Sequence, residues 1–239
     1  MASTQESATP GETGVGPRAG MAWQIFLVGV PLVWIVVALV HPQGNGSVYD
    51  ELEDKVALWL GVHFAQLVLA LGLAMVFWVV LAGRAGTAAT IARLALPVWL
   101  VSFSAFDSVT GLASGLAVHH ANGLDGSDQT GAASTAEYLV DNRVTADFSP
   151  VWLLQAAAFL TVVIATALVL RSAGASRGLF VAMLGGALLV FHAGAVAAIG
   201  LLAIAAAIVL AYREGLIRSD ADLLPTGWPQ GTADTSPQP

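Results

Sequence analysis

"RGLFVAMLGGALLVFHAGAVAAIGLLAIAAAIVLAY", residues 177–212, carries no charge after Arg177 and decides how many times this chain crosses a membrane. As a single helix it would be about 54 Å long at 1.5 Å per residue, well beyond a hydrocarbon core of about 30 Å. Folded back near "FHAGA", residues 191–195, it supplies two spans of about 17 or 18 residues each, near the lower limit for a crossing. The flanking charges favour the fold-back. With two helices here, Arg18, Arg84, Arg93, Arg171, Arg177, Arg213 and Arg218 all fall on one side. Only Lys55 and Arg143 fall on the other, together with Asp50, Glu51, Glu53, Asp54, Asp125, Asp128, Glu137, Asp141 and Asp147. Basic residues collect on the cytoplasmic side, so both termini are expected in the cytoplasm. The alternative is one long tilted helix whose end projects from the membrane.

The rest of the chain is of the same kind. Of 239 residues, 56% are hydrophobic and 10% charged, and the mean hydropathy is +0.76. Soluble domains carry roughly a quarter charged residues. Further apolar runs of spanning length occur at 22–41, 56–82, 94–118 and 149–170. The prediction is an all-α, polytopic membrane helix bundle with six transmembrane helices, or five if 177–212 is one long helix. Residues 1–20 and 214–239 are expected to be disordered cytoplasmic tails, rich in Ser, Thr, Gly and Pro, around a bundle at 21–213. The first run exceeds a signal-peptide core and is followed by a poor cleavage site, "ALVHPQGNGS", so it reads as a retained helix. Without cysteine there is neither a disulfide framework nor a thiolate metal site. The net charge of −7 comes mostly from acids in two outer loops, and the basic residues are scattered, which excludes nucleic-acid binding. The lipid bilayer is the expected partner, with a small-molecule ligand and a second copy or partner membrane subunit as further candidates. The alanine- and glycine-rich style is that of a high-GC bacterium, placing the protein in a cell (inner or plasma) membrane.

The third run contains "SFSAFDSVTGLASGLAVHH", residues 102–120, with Asp107 near the middle of the expected span. A charge at the bilayer centre costs several kcal/mol, so such a group faces the protein interior and finds partners. At 100° per residue from Asp107, Ser104, Ser108, Thr110, Gly111, Ser114 and Gly115 share one arc, while Val109, Leu112 and Leu116 project opposite. Helix packing explains the glycines of "GLASG" and the hydroxyls, which can bond across an interface or to their own helix. It does not explain Asp107. No Lys or Arg lies in an expected helix core, so the carboxyl must find His63 or Gln66 across the interface between the second and third helices.

Those two residues and Trp59, at spacings of four and three, form a polar stripe entering the second helix from outside. Gln155 enters the fourth helix at a comparable outer depth. Asp107, His63, Gln66, Ser104, Thr110, Ser114 and Gln155 are therefore the candidate proton- and ligand-binding residues, lining a cavity open to the exterior. All five histidines fall in the outer leaflet or at the outer surface. His41, His119 and His120 read as interface residues, where an amphipathic ring meets headgroups and water. Were His63, His119 and His192 to converge, they would suit Cu, Zn or haem iron. His192 is expected nearer the surface than His63, which disfavours a bis-histidine haem. The outer stretch 121–147, containing "STAEYLVDNRVTADF", reads as a solvated loop rather than an amphipathic helix over the cavity. "NGS" at 45–47 matches a glycosylation sequon.

The chain has no P-loop, no dinucleotide-binding glycine turn, no HExxH and no supported nucleophile triad, so no residue is assigned as catalytic. Three classes remain. The chain binds or transports a small solute or ion with proton involvement, or it is a membrane enzyme or electron-transfer subunit with histidine ligands, or it is an accessory membrane subunit without chemistry.

Overall fold

The computed structural model describes residues 17–42, 46–141 and 148–217, which are helical with no strand among them. Asn45 of the sequon, Arg143, Arg218 and most of both expected tails lie outside the described residues. In chain order the elements are α1 (Pro17–Val40), α2 (Val48–Leu52), α3 (Val56–Val80) and α4 (Thr87–Asp107), which runs on through a π-helical segment (Ser108–Ala113) into α5 (Ser114–Ala121). Then come α6 (Gly126–Val140), α7 (Pro150–Ser172), α8 (Arg177–Gly185), a 3₁₀ segment (Gly186–Phe191) and α9 (Gly194–Arg213). Five stretches are long and apolar enough to cross a membrane: Met21–Val40, Val56–Val80, Thr87–Ala121, Pro150–Ser172 and Gly194–Arg213. The molecule is an all-α membrane helix bundle. Its first helix begins at Pro17, four residues inside the expected tail; a proline's fixed φ suits a helix start.

The run 177–212 is two segments and not one long helix. His192 adopts φ 41° and Gly194 φ 72°, both in the left-handed region, and the chain reverses there. Small residues let the two arms touch. A Cβ on Gly200 would stand 2.5 Å from the Leu189 backbone nitrogen, and one on Gly186 would stand 2.6 Å from Ile204 Cγ1. The first arm, Arg177–Phe191, has only 15 residues, but six are 3₁₀, whose rise of about 2 Å per residue stretches the arm to about 25 Å. A short sequence thereby nearly matches the membrane core.

Hydrogen bonds sort the turns between two ends of the bundle. The Arg84 guanidinium donates to the Leu216 carbonyl, and the Ser176 amide donates to Glu214 Oε2 at 2.9 Å. The turns α3–α4 and α7–α8 and the end of α9 thus share one end, which carries the basic residues. At the opposite end the rings of His41, after α1, and His192, in the hairpin turn, lie 5.9 Å apart. Charge identifies this second end as the outer one.

Two expectations change at the outer end. The third span starts at Thr87, seven residues earlier than the apolar run suggests, which puts Asp107 about 30 Å along the helix. Asp107 stands toward the outer end of the bundle, since its partner His63 packs against His41, the residue that follows α1. The 35-residue helix then projects outward as α5. Around it α2 and α6 form a cap held by a small cluster of Leu52, Val118 and Ala136, by Gln129 Nε2 donating to Tyr49 Oη at 2.9 Å, and by Asn122 Nδ2 donating to the Glu53 carbonyl at 2.9 Å. Residues 126–140 are therefore helical, not a solvated loop: Ala136 gains burial that a loop would forgo. Below the cap the core runs the length of the bundle through Trp34, Phe77, Phe159, Leu201 and Ile204.

Candidate functional site

Asp107 ends α4, and its side chain is 0% exposed. His63, on the inward face of α3, meets it with Nδ1 2.8 Å from Oδ1. A π-helical segment, Ser108–Ala113, follows Asp107 directly. A π turn carries an extra residue and frees a backbone carbonyl, and such turns recur at functional sites. The Gly111 carbonyl in this segment accepts from Trp59 Nε1 at 2.7 Å, besides the Ser114 amide and hydroxyl. Gly111 also leaves room for the imidazole, since a Cβ there would stand 2.1 Å from His63 Nδ1. Gly115 does the same one turn on, where a Cβ would meet Trp59 Cδ1 at 2.6 Å.

Two more imidazoles complete the cluster. The His41 ring lies 4.9 Å from that of His63 and 5.9 Å from that of His192, and Trp59 covers His63 at 4.4 Å. His41 Nδ1 donates to the Pro42 carbonyl at 2.7 Å, which leaves its Nε2 as a lone pair. Gln66 Nε2 donates to the His192 carbonyl at 3.3 Å, and Phe106 packs on the His192 ring at 5.5 Å. Burial, reinforced by the neighbouring His63, lowers the pKa of His41 to about 4. Burial, with His41 and His63 adding to it, lowers that of His192 to about 3. Both rings are therefore neutral at physiological pH. Five buried atoms of the cluster have no hydrogen-bond partner among the described residues: Asp107 Oδ2, His63 Nε2, His41 Nε2, Gln66 Oε1 and His192 Nδ1. A concentration of unmet polar atoms in one place is costly, at about 1–3 kcal/mol each, and marks a site where another molecule is to be accommodated.

The structure thus gathers Asp107, His63 and Gln66, while Gln155 lines a small cavity that His192 also lines. The remaining predicted residues stand apart. Thr110 Oγ1 donates to the Phe106 carbonyl at 2.9 Å, and Ser114 Oγ to the Gly111 carbonyl at 3.0 Å, so both hydroxyls are spent on their own helix. Ser104, half-buried, has no hydrogen bond to the described site residues. The cluster is closed in this structure, with Asp107, His63 and Gln66 all buried, and not open to the exterior.

The metal set His63, His119 and His192 is not assembled. His119 is exposed on α5, about 18 Å along the helix beyond Asp107, because α5 belongs to the outer cap. His192, in contrast, lies close to the level of His63, both rings lying near His41, and it is half-buried where His63 is buried. Among the described residues no three His, Cys, Asp or Glu side chains are arranged to hold a metal ion. Sequence reasoning misses His41, whose only signal is its position as the last residue before the outer turn, level with His63. It also misses the indole of Trp34, which reads as one more apolar residue of α1.

No protein-family model, curated protein or solved structure matches the chain. Fold and site alone define the class: a membrane-embedded helical bundle with a buried carboxylate–imidazole cluster at the end where its hairpin turns.

Proposed function

We propose that this protein binds or transports a small solute or ion, taken from the outer side of a bacterial cell membrane, and that it exchanges a proton at Asp107 and His63 as it does so. The observation that carries this reading is the buried 2.8 Å contact between these two side chains, with Asp107 Oδ2 and His63 Nε2 left without partners. An ionisable pair is a poor choice for packing alone, because apolar residues of the same volume hold a helix interface at less cost in desolvation. A carboxyl–imidazole pair does what apolar residues cannot. It holds a proton on either partner, and it offers both a donor and an acceptor to a molecule that enters beside it. The three neighbouring lone-pair and amide groups, on His41, His192 and Gln66, supply further contacts from α1, the hairpin and α3. Entry from outside passes the cap of α2, α5 and α6.

Infrared difference spectroscopy tests the proton exchange without knowledge of the ligand. Between about pH 5 and pH 9, a range spanning the ordinary imidazole pKa, the parent protein is expected to show a change in a protonated-carboxyl band that is missing from Asp107→Asn. A spectrum identical in the two proteins across this range would refute the proposal.

A further inference from the structure

Inward of the cluster lies a cavity with about 10 Å³ free for the centre of a water molecule. Its depth follows from helix arithmetic: Trp34 is six residues inward of Val40 on α1, and Trp99 eight residues inward of Asp107 on α4, or roughly 9–12 Å. The walls are aromatic. Trp34 packs on Phe103 at 5.8 Å, Phe103 on Trp99 at 6.0 Å and Trp99 on Phe159 at 5.1 Å. The polar lining comes from three side chains, Trp34, Gln155 and His192. Trp34 is 0% exposed and its Nε1 has no partner among the described residues, nor has His192 Nδ1.

These groups restrict what the cavity can take. An indole N–H only donates, so the occupant must carry a lone pair, which excludes ammonium and metal cations from that contact. A neutral imidazole has one acceptor nitrogen, and with His192 Nδ1 in that role the occupant also donates. The room is that of one small molecule, and a cavity of this size that is polar at two or three points is the kind that holds an ordered water. A void lined only by aromatic rings would stay dry.

We propose that this chamber is a hydration site holding one water molecule, which accepts from Trp34 Nε1 and donates to His192 Nδ1, and which carries the polar route from the outer cluster a step into the membrane. The site itself stands on the cavity and its unmet groups. Its part as the inward leg of a proton route rests on the function proposed above. Gln155 supplies the third polar contact, and Phe159, Trp99 and Phe103 wall the chamber, so the route ends there in this closed state.

The test is a water-to-indole cross-peak in NMR of the ¹⁵N-tryptophan-labelled full chain in lipid nanodiscs, with Trp34→Phe identifying the Trp34 signal among the seven tryptophans. A through-space cross-peak between Trp34 Nε1–H and water is expected in the parent. In Ala156→Val, which adds two methyl groups to the cavity lining, the peak should vanish and the melting temperature fall, because filling the space displaces the indole's only acceptor. No cross-peak in the parent would overturn the hydration site, as would an Ala156→Val variant more stable than the parent, the response of a dry void. Failure of the infrared test with the cross-peak present would remove the proton route and leave the hydration site standing.

Discussion

At the scale of single residues the site depends on two small details, a glycine and a carboxylate. Gly111 permits the imidazole of His63 to lie against the π segment, and an added methyl group would overlap its ring. Gly111→Ala is therefore expected to displace His63 and to cost about 1–3 kcal/mol, the range for overpacking a filled interior. Gly61, on α3 two residues before His63 and with nothing within 4 Å of its would-be Cβ, is the control. Gly61→Ala should melt at or slightly above the parent temperature, since alanine is the better helix former. Equal melting temperatures for the two variants would show that His63 does not occupy the place described. Asp107 allows a second comparison. Asp107→Asn retains an acceptor for His63 Nδ1 and should unfold within about 1 kcal/mol of the parent, while Asp107→Leu strips that nitrogen of its partner and should cost about 1–3 kcal/mol more. If Asn and Leu behaved alike in thermal denaturation, the hydrogen bond would not contribute to the fold.

At the scale of elements, departures from the regular α-helix place the chemistry. The π segment after Asp107 turns a carbonyl toward Trp59, and the 3₁₀ segment before His192 lengthens a short arm until its end meets α1 and α3. A regular helix of 15 residues would span only about 22 Å and leave His192 deeper in the membrane, away from His41. The hairpin therefore has an exposed outer turn, and the absence of native cysteine makes this easy to read. A single cysteine introduced as Ala193→Cys should react with a membrane-impermeant thiol reagent added outside intact cells. Reaction only after the cytoplasmic side is exposed would invert the bundle, and with it the side from which the cluster is reached.

At the scale of the molecule, histidines held neutral by burial make stability depend on pH in a definite direction. His41 and His192 have pKa values lowered to about 4 and about 3, whereas in the unfolded chain both titrate near the ordinary imidazole value of 6.5. The unfolded state thus takes up protons first as the pH drops, so stability is full above about pH 6.5 and declines between there and about pH 3–4. The groups facing these rings are His63 and, through it, Asp107; no Lys or Arg of the described residues contacts them to reverse the sign. The melting temperature in detergent should fall by roughly 5 °C or more between pH 7 and pH 5, and a His41→Gln, His192→Gln double variant should flatten that limb. A parent curve flat across this interval would mean that the rings are not buried as neutral groups. Loss of a neutral cluster on acidification also implies that the outer end of the bundle loosens before the basic end.

The amino-acid sequence by itself determined what depends on solvent and on local period. Apolar runs of spanning length point to membrane helices, the one-sided arginines favour a fold-back in 177–212 over a single long helix, and an acid without a basic neighbour points to a polar stripe, here that of His63 and Gln66. Tertiary structure alone decided the rest. The depth of Asp107 follows from where its helix starts and from a cap that draws the other end outward, and hydropathy marks neither. Pairings between residues 44 and 126 apart in the chain, such as His63 with Asp107 and Gln66 with the His192 carbonyl, are closed by packing and not by sequence spacing. Thr110 and Ser114 share the arc of Asp107 on a regular helix, yet they spend their hydroxyls on their own backbone, as Ser and Thr inside helices commonly do. His41 joins the site and His119 leaves it for the same reason: a ring at a helix end can face lipid, water or another ring, and only the neighbouring helices decide which.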